Sequence, residues 1–204
     1  MPNFGFTTQE LKVLAPLKTP ALIQDFINRI PIVGKGGDRC RSPRVVLRER
    51  RAHCVEGALL GAAALRLIGH QPLIVDLRSA EPDYDHVVAV WRERGRWGSL
   101  SKTNYGVLRY REPLYRDIRE LVMSYFHEYF LNNGRKTLRD FSKPFNLARF
   151  DHLGWMTATE DVWYIPEALD QAPHTKLLTP AQVRKLRSAD QIEIAVGKLR
   201  QWKR

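Results

Sequence analysis

The sequence predicts an α+β fold: a cysteine-bearing helix packed on an antiparallel sheet, with extra helices at both ends. Three observations carry this reading. The stretch after Cys54 is nearly apolar and rich in small residues, with Gly57, Ala58, Gly61 and Ala62–Ala64, which lets a helix approach a sheet closely. Leu73-Ile74-Val75-Asp76-Leu77 and Val87-Val88-Ala89-Val90-Trp91 are short apolar runs that read as buried strands. Helix-start signals followed by apolar residues at helical spacing lie on either side of this block.

The elements follow in order. Thr7-Thr8-Gln9-Glu10 has the pattern of a capping box, a threonine and Glu10 satisfying each other's backbone donors. Thr19-Pro20 starts a second helix, whose Leu22, Ile23, Phe26, Ile27 and Ile30 face a core; Pro31 ends it. Residues 34–38 read as a loop. Ser42-Pro43 starts a short helix, and Gly69 suits a left-handed cap for the helix that begins at Cys54. A polar loop spans 79–85. Gly95 turns the second strand into a third at Trp97–Leu100, which places the partners of His86 among Ser101 to Asn104. Residues 116–131 carry an apolar stripe at helical period, and Val162–Ile165 reads as a late strand. Thr179-Pro180 opens a tail helix, and Ser188 with Gln191 matches a second capping box.

The 204-residue length fits a main domain at 1–175 with a basic helical extension at 176–204. The N-terminus lacks a basic and apolar leader pattern, and no apolar run is long enough for a membrane span, so a cytoplasmic setting is expected. Cys40 and Cys54 are the two cysteines, too few for a disulfide framework. The net charge is +11. Six arginines lie between 39 and 51, and the segment from Lys176 onward holds eight Lys/Arg against two Asp/Glu. Arg39, Arg41, Arg44 and Arg48 with the basic tail are candidates for an anionic partner; a solvated charged face is the other reading. A nucleic-acid partner is a weaker expectation, since basic charge is necessary for it and not sufficient.

The chemistry-bearing feature is Cys54 at a helix start. The exposed N–H groups there favour a thiolate. His86 enters a strand about thirty residues later, and the two residue types together are the parts of a thiol nucleophile site. Cys54-Val55-Glu56-Gly57-Ala58 through Leu65-Arg66-Leu67-Ile68-Gly69-His70-Gln71-Pro72, followed by His86-Val87-Val88-Ala89-Val90-Trp91 and Trp97-Gly98-Ser99-Leu100-Ser101-Lys102-Thr103-Asn104, resembles the core of the transglutaminase-like superfamily. The resemblance covers residues 45–105. It implies a papain-like fold, a catalytic cysteine at Cys54, a catalytic histidine at His86, and acyl transfer or amide hydrolysis on a peptide or amide substrate. The Ser-Lys-Thr-Asn and Tyr-Phe-His-Glu-Tyr-Phe segments resemble an uncharacterised bacterial subgroup. Ser101 stands where the superfamily has an aspartate, so Ser101 and Asn104 are the candidates for orienting His86, with Asp83 and Asp85 also nearby in sequence. No cofactor is implied. His53, Cys54, His70 and His86 lack the compact spacing of a zinc site. The alternative is a catalytically inactive transglutaminase-like domain that binds a peptide, nucleic acid or other anionic partner.

Overall fold

The computed structural model describes residues 3–32 and 39–202; the loop expected at 34–38 lies outside them. Helix α1 (Thr8–Leu14) opens with the Thr7–Glu10 box. Helix α2 (Pro20–Asn28) is capped by Thr19, and α3 (Pro43–Glu49) by Ser42. Helix α4 (Cys54–Leu67) is buried from Glu56 to Leu65 and ends before Gly69, whose φ of 97° turns the chain out of the helix.

Strands β1 (Leu73–Ser79), β2 (His86–Glu93), β3 (Arg96–Ser101) and β4 (Arg111–Tyr115) form an antiparallel meander. The β2–β3 turn has Arg94 at φ 47° and Gly95 at φ 80°, the two positive values that a tight two-residue hairpin needs. The chain continues through α5 (Ile118–Met123), β5 (Leu138–Ser142), β6 (Phe145–Asn146), α6 (Tyr164–Asp170), β7 (His174–Lys176), α7 (Pro180–Arg184) and α8 (Gln191–Gly197). The seven strands among the described residues order as β4-β3-β2-β1-β5-β7, with β6 beside the start of β1.

Both faces of the sheet are covered. Ile74, Val87, Ala89, Trp91 and Leu100 pack with α2, α3 and α4. Val75, Leu77, Val88 and Val90 pack instead with Leu121, Val122, Tyr125 and Tyr129. The period-two alternation of β1 and β2 thus serves two apolar layers, and their sequences read as unbroken apolar runs.

Several expectations are corrected. The stripe at 116–131 buries as expected, yet the helix stops at Met123, and Phe126–Glu128 forms only a 3₁₀ turn. Ser124 bonds its hydroxyl back to Leu121 O at 2.6 Å, and the following aromatic run has weak helix propensity. The expected strand at 162–165 is the entry to α6, where Pro166 sits in the first turn and no intrahelical donor is lost. The last capping box uses Asp190 and Glu193 rather than Ser188 and Gln191. Leu22 is 42% exposed and stands off the stripe that buries Ile23, Phe26 and Ile27.

Of the arginines of 39–51, Arg39, Arg41 and Arg44 are taken up by acids, while Arg48, Arg50 and Arg51 are exposed. Arg41 is buried between Glu49 and Glu56, Arg39 pairs with Glu49 and Asp161, and Arg44 pairs with Glu10. Arg48 is the exposed member of the four. The segment from residue 176 docks on the rest of the chain: Leu177 is buried, and Gly106 N donates to Leu199 O at 3.0 Å. No helix among the described residues is long and apolar enough to cross a membrane.

Candidate active site

One end of the sheet brings together the start of α4, the start of β2 and the end of β3. Cys54 is the first residue of α4, where the leading N–H groups have no partner one turn back. It is partly exposed in a cleft of about 940 Å³. The helix start is anchored by Glu56, which has no solvent exposure. One Glu56 oxygen accepts from His53 N at 2.9 Å; the other accepts from Arg41 N at 2.8 Å and the Arg41 guanidinium at 3.0 Å.

Two imidazoles, His53 and His86, line the same cleft as Cys54 and act on its thiol. The β2–β3 hairpin sets Val88 opposite Ser101, so Ser101 reaches His86 on the diagonal. His86 Nε2 is 2.8 Å from Ser101 Oγ. The Ser101 hydroxyl donates its proton to the Leu108 carbonyl. It therefore accepts from His86 Nε2–H, which leaves Nδ1 as the basic nitrogen of the neutral ring.

Ser101 is itself held from behind. Gln24, buried on α2, accepts from Ser101 N at 2.9 Å and donates to Ser101 O at 2.8 Å. Leu108 takes a left-handed conformation, φ 58°, that non-glycine residues rarely adopt. Its N–H donates to Glu128 at 2.7 Å, and Glu128 pairs with Arg111 at 2.7 Å.

The electrostatics favour a thiolate. Burial opposes ionisation of Cys54, but the hydrogen bonds and charges of His53 and His86 outweigh it and bring the thiol down to about 5. Burial also works against a charge on His53; its contact with Cys54, the Glu56 carboxylate and the Arg39 carbonyl overcome this and raise it to about 9. Cys40 differs: it is fully buried, and burial with the nearby Glu56 charge pushes it up to about 12.

Of the four residues expected in the site, Cys54, His86 and Ser101 come together. Asn104 does not join them as an orienting group. It lines the same cleft, but its side-chain amide pairs with the Trp202 backbone, donating to Trp202 O at 3.1 Å and accepting from Trp202 N at 2.8 Å. Asp85 accepts from Ser79 N at 2.7 Å, and Asp83 takes the Thr137 hydroxyl; both acids brace the loop before His86. Sequence reasoning missed His53, Glu56, Gln24 and Glu128. His53 and Glu56 had a signal in their three-residue capping spacing, whereas Gln24 and Glu128 are joined to the site only by the tertiary fold. The tail supplies Ile194, Lys198 and Arg200 to the far wall of the cleft. In comparison with known proteins, the chain matches no family model and no curated protein.

Proposed function

We propose that this protein is a cysteine-dependent amide hydrolase or acyltransferase of papain-like fold, related to the transglutaminase-like superfamily, working through Cys54 and His86. The observation that carries the reading is Cys54 at a helix start in an open cleft that it shares with His86, an imidazole whose Nε2 is fixed by Ser101. The helix-borne cysteine, strand-borne histidine and hairpin-borne third residue keep the order expected from the sequence. A cytoplasmic, reducing setting suits a chain whose two cysteines are free thiols.

In the reaction, the Cys54 proton passes to His86 Nδ1. The thiolate forms a bond to the carbonyl carbon of a peptide or amide, and the C=O π pair moves onto oxygen. The Cys54 backbone N–H faces that developing charge. Collapse breaks the C–N bond, and the His86 proton leaves on the amine. Water or a second amine then attacks the thioester, giving hydrolysis or transamidation.

The test uses an activated acyl ester, p-nitrophenyl acetate, followed by intact-mass analysis. The expected result is a nitrophenolate burst and one added acetyl group on Cys54, both absent in Cys54→Ser and His86→Ala. Absence of any adduct, with Cys54 alkylation rising only near the unperturbed value of about 8.5, would overturn the reading.

A further inference from the structure

We propose that residues 104–106 form a peptide-binding subsite of the Cys54 cleft, that the chain's own tail at 198–202 occupies it as an added strand, and that the ligand taken when the tail leaves is an extended peptide with basic residues at alternate positions. This rests on the reading of the cleft as a site for peptide or amide substrates.

The pairing is that of a strand laid on an open edge. Tyr105 and Arg200 face each other in an antiparallel bridge. On either side of it, Gly106 N donates to Leu199 O at 3.0 Å and Gln201 N donates to Asn104 O at 2.8 Å. Asn104 extends the pairing with its side chain, whose amide answers both the N–H and the C=O of Trp202. All of these bonds go to the main chain of the tail, so the edge reads an extended backbone rather than one sequence. Lys198 and Arg200 line the cleft that holds Cys54 and His86. Leu199 points to solvent, and Gln201 turns to Asn28 O and Arg109. That alternation is the one a strand gives.

The occupant is held loosely. Ile194 is the buried residue of α8, whereas Ile192 and Leu199 are 71% and 62% exposed. The buried indole Nε1 of Trp202 has no hydrogen-bond partner among the described residues, a cost that seating the tail incurs and release relieves. Segments with few buried apolar contacts and main-chain bonds near the surface open well below the free energy of global unfolding.

Charge favours a basic occupant. Asp83 and Asp85 line the same cleft. Their donors are the Thr137 hydroxyl and the N–H groups of Tyr84 and Ser79, all neutral, so these bonds leave the carboxylate charges uncancelled. Glu128 is paired with Arg111, and Lys102 turns its ammonium to the Ile27 and Ile30 carbonyls. When Lys198 and Arg200 swing out with the tail, the two aspartates are left to meet the cations of an incoming peptide. A tethered tail competes at an effective concentration on the order of millimolar, so the full chain limits access to its own cleft.

The experiment measures binding of a fluorescein-labelled peptide, with the sequence of residues 197–202, by anisotropy. It uses the full chain carrying Cys54→Ser, with and without Gln201→Pro. Proline removes the N–H bonded to Asn104 O and the side-chain bonds to Asn28 and Arg109, and leaves residues 104–106 intact. The peptide is expected to bind Gln201→Pro tighter by about tenfold or more, because the tethered competitor is gone. Adding Asn104→Ala is expected to weaken that binding. A peptide carrying Lys198→Glu and Arg200→Glu is expected to bind about tenfold more weakly. Equal binding with and without Gln201→Pro, no binding in either, or binding that ignores Asn104→Ala overturns the occupied subsite. Equal binding of the acidic peptide overturns the basic preference. Amide exchange in the native chain adds a second check: Gln201 and Trp202 are expected to exchange through local opening, and protection equal to that of the slowest core amides overturns the proposal, because the tail then leaves only on global unfolding. Since the peptide assay is run in Cys54→Ser, its failure is separate from failure of the nucleophile, which the nitrophenolate burst reports.

Discussion

Ser101 gives His86 a fixed orientation but no countercharge. Its hydroxyl is locked as an acceptor by Leu108 O, its backbone is clamped by Gln24, and the imidazole tautomer follows from those constraints. A neutral hydrogen bond contributes about 0.5–1.5 kcal/mol, and about 1.4 kcal/mol is a factor of ten in rate. Ser101→Ala is therefore expected to slow acylation of Cys54 by about two- to tenfold while the far-UV circular dichroism stays native. An unchanged rate would mean that Ser101 does not orient the ring. Asn104 makes the opposite case. Since its amide holds Trp202, Asn104→Ala is expected to leave the pH profile of Cys54 alkylation in place and to speed amide exchange at Gln201 and Trp202. A shifted profile would return Asn104 to the catalytic group.

At the scale of elements, the site depends on how closely α4 crosses the strand that ends at Ser101. A Cβ on Gly57 would lie 2.2 Å from Lys102 Cβ and 2.7 Å from its Cγ, contacts that no rotamer change relieves at the Cβ. Gly57→Ala is expected to destabilise the fold by about 1–3 kcal/mol, the range for overpacking a filled core, read as a lower denaturation midpoint at unchanged slope. A native midpoint would show that the helix can back away without cost. This packing also explains what was legible in the chain. The small residues of α4 and the apolar runs of β1 and β2 are buried on all sides, so composition alone marks them. The Arg94-Gly95 turn sets the β2–β3 register, so Ser101 was foreseeable as the partner of His86. By contrast, β4 carries Pro113, while β5, β6 and β7 are short and defined by pairing with distant partners. The aromatic run at 125–130 marked which residues would be buried but not their conformation, because side-chain burial there serves the sheet face rather than a helix. Gln24 and Glu128 reach the site across the fold, and no local pattern reports that.

At the scale of the whole molecule, part of the basic composition is used inside the fold behind the site. Arg39, Arg41 and Arg44 answer Glu10, Glu49, Glu56 and Asp161, and they tie α1, α3, α4 and the approach to α6 together behind Cys54. A second buried pair does the same for the opposite end of the chain. His174 Nε2 lies 3.0 Å from Asp76 Oδ2, with side-chain exposures of 6% and 2%, and so fastens β7 and the tail to the central strand β1. The other Asp76 oxygen, Oδ1, has no hydrogen-bond partner, and burial raises the carboxyl to about 6. A buried pair so incompletely bonded offers little net stability over an apolar replacement, but losing one member strands the other. His174→Leu alone is expected to cost about 3 kcal/mol in denaturant unfolding, because Asp76 is left buried without its partner. The double variant Asp76→Val with His174→Leu is expected to recover most of that loss. Together with Asp76→Val alone, the set forms a double-mutant cycle, and a coupling energy near zero would show that the two residues stabilise the fold independently. A coupled result would mean that the pair acts as a unit in fastening β7 to the central strand β1.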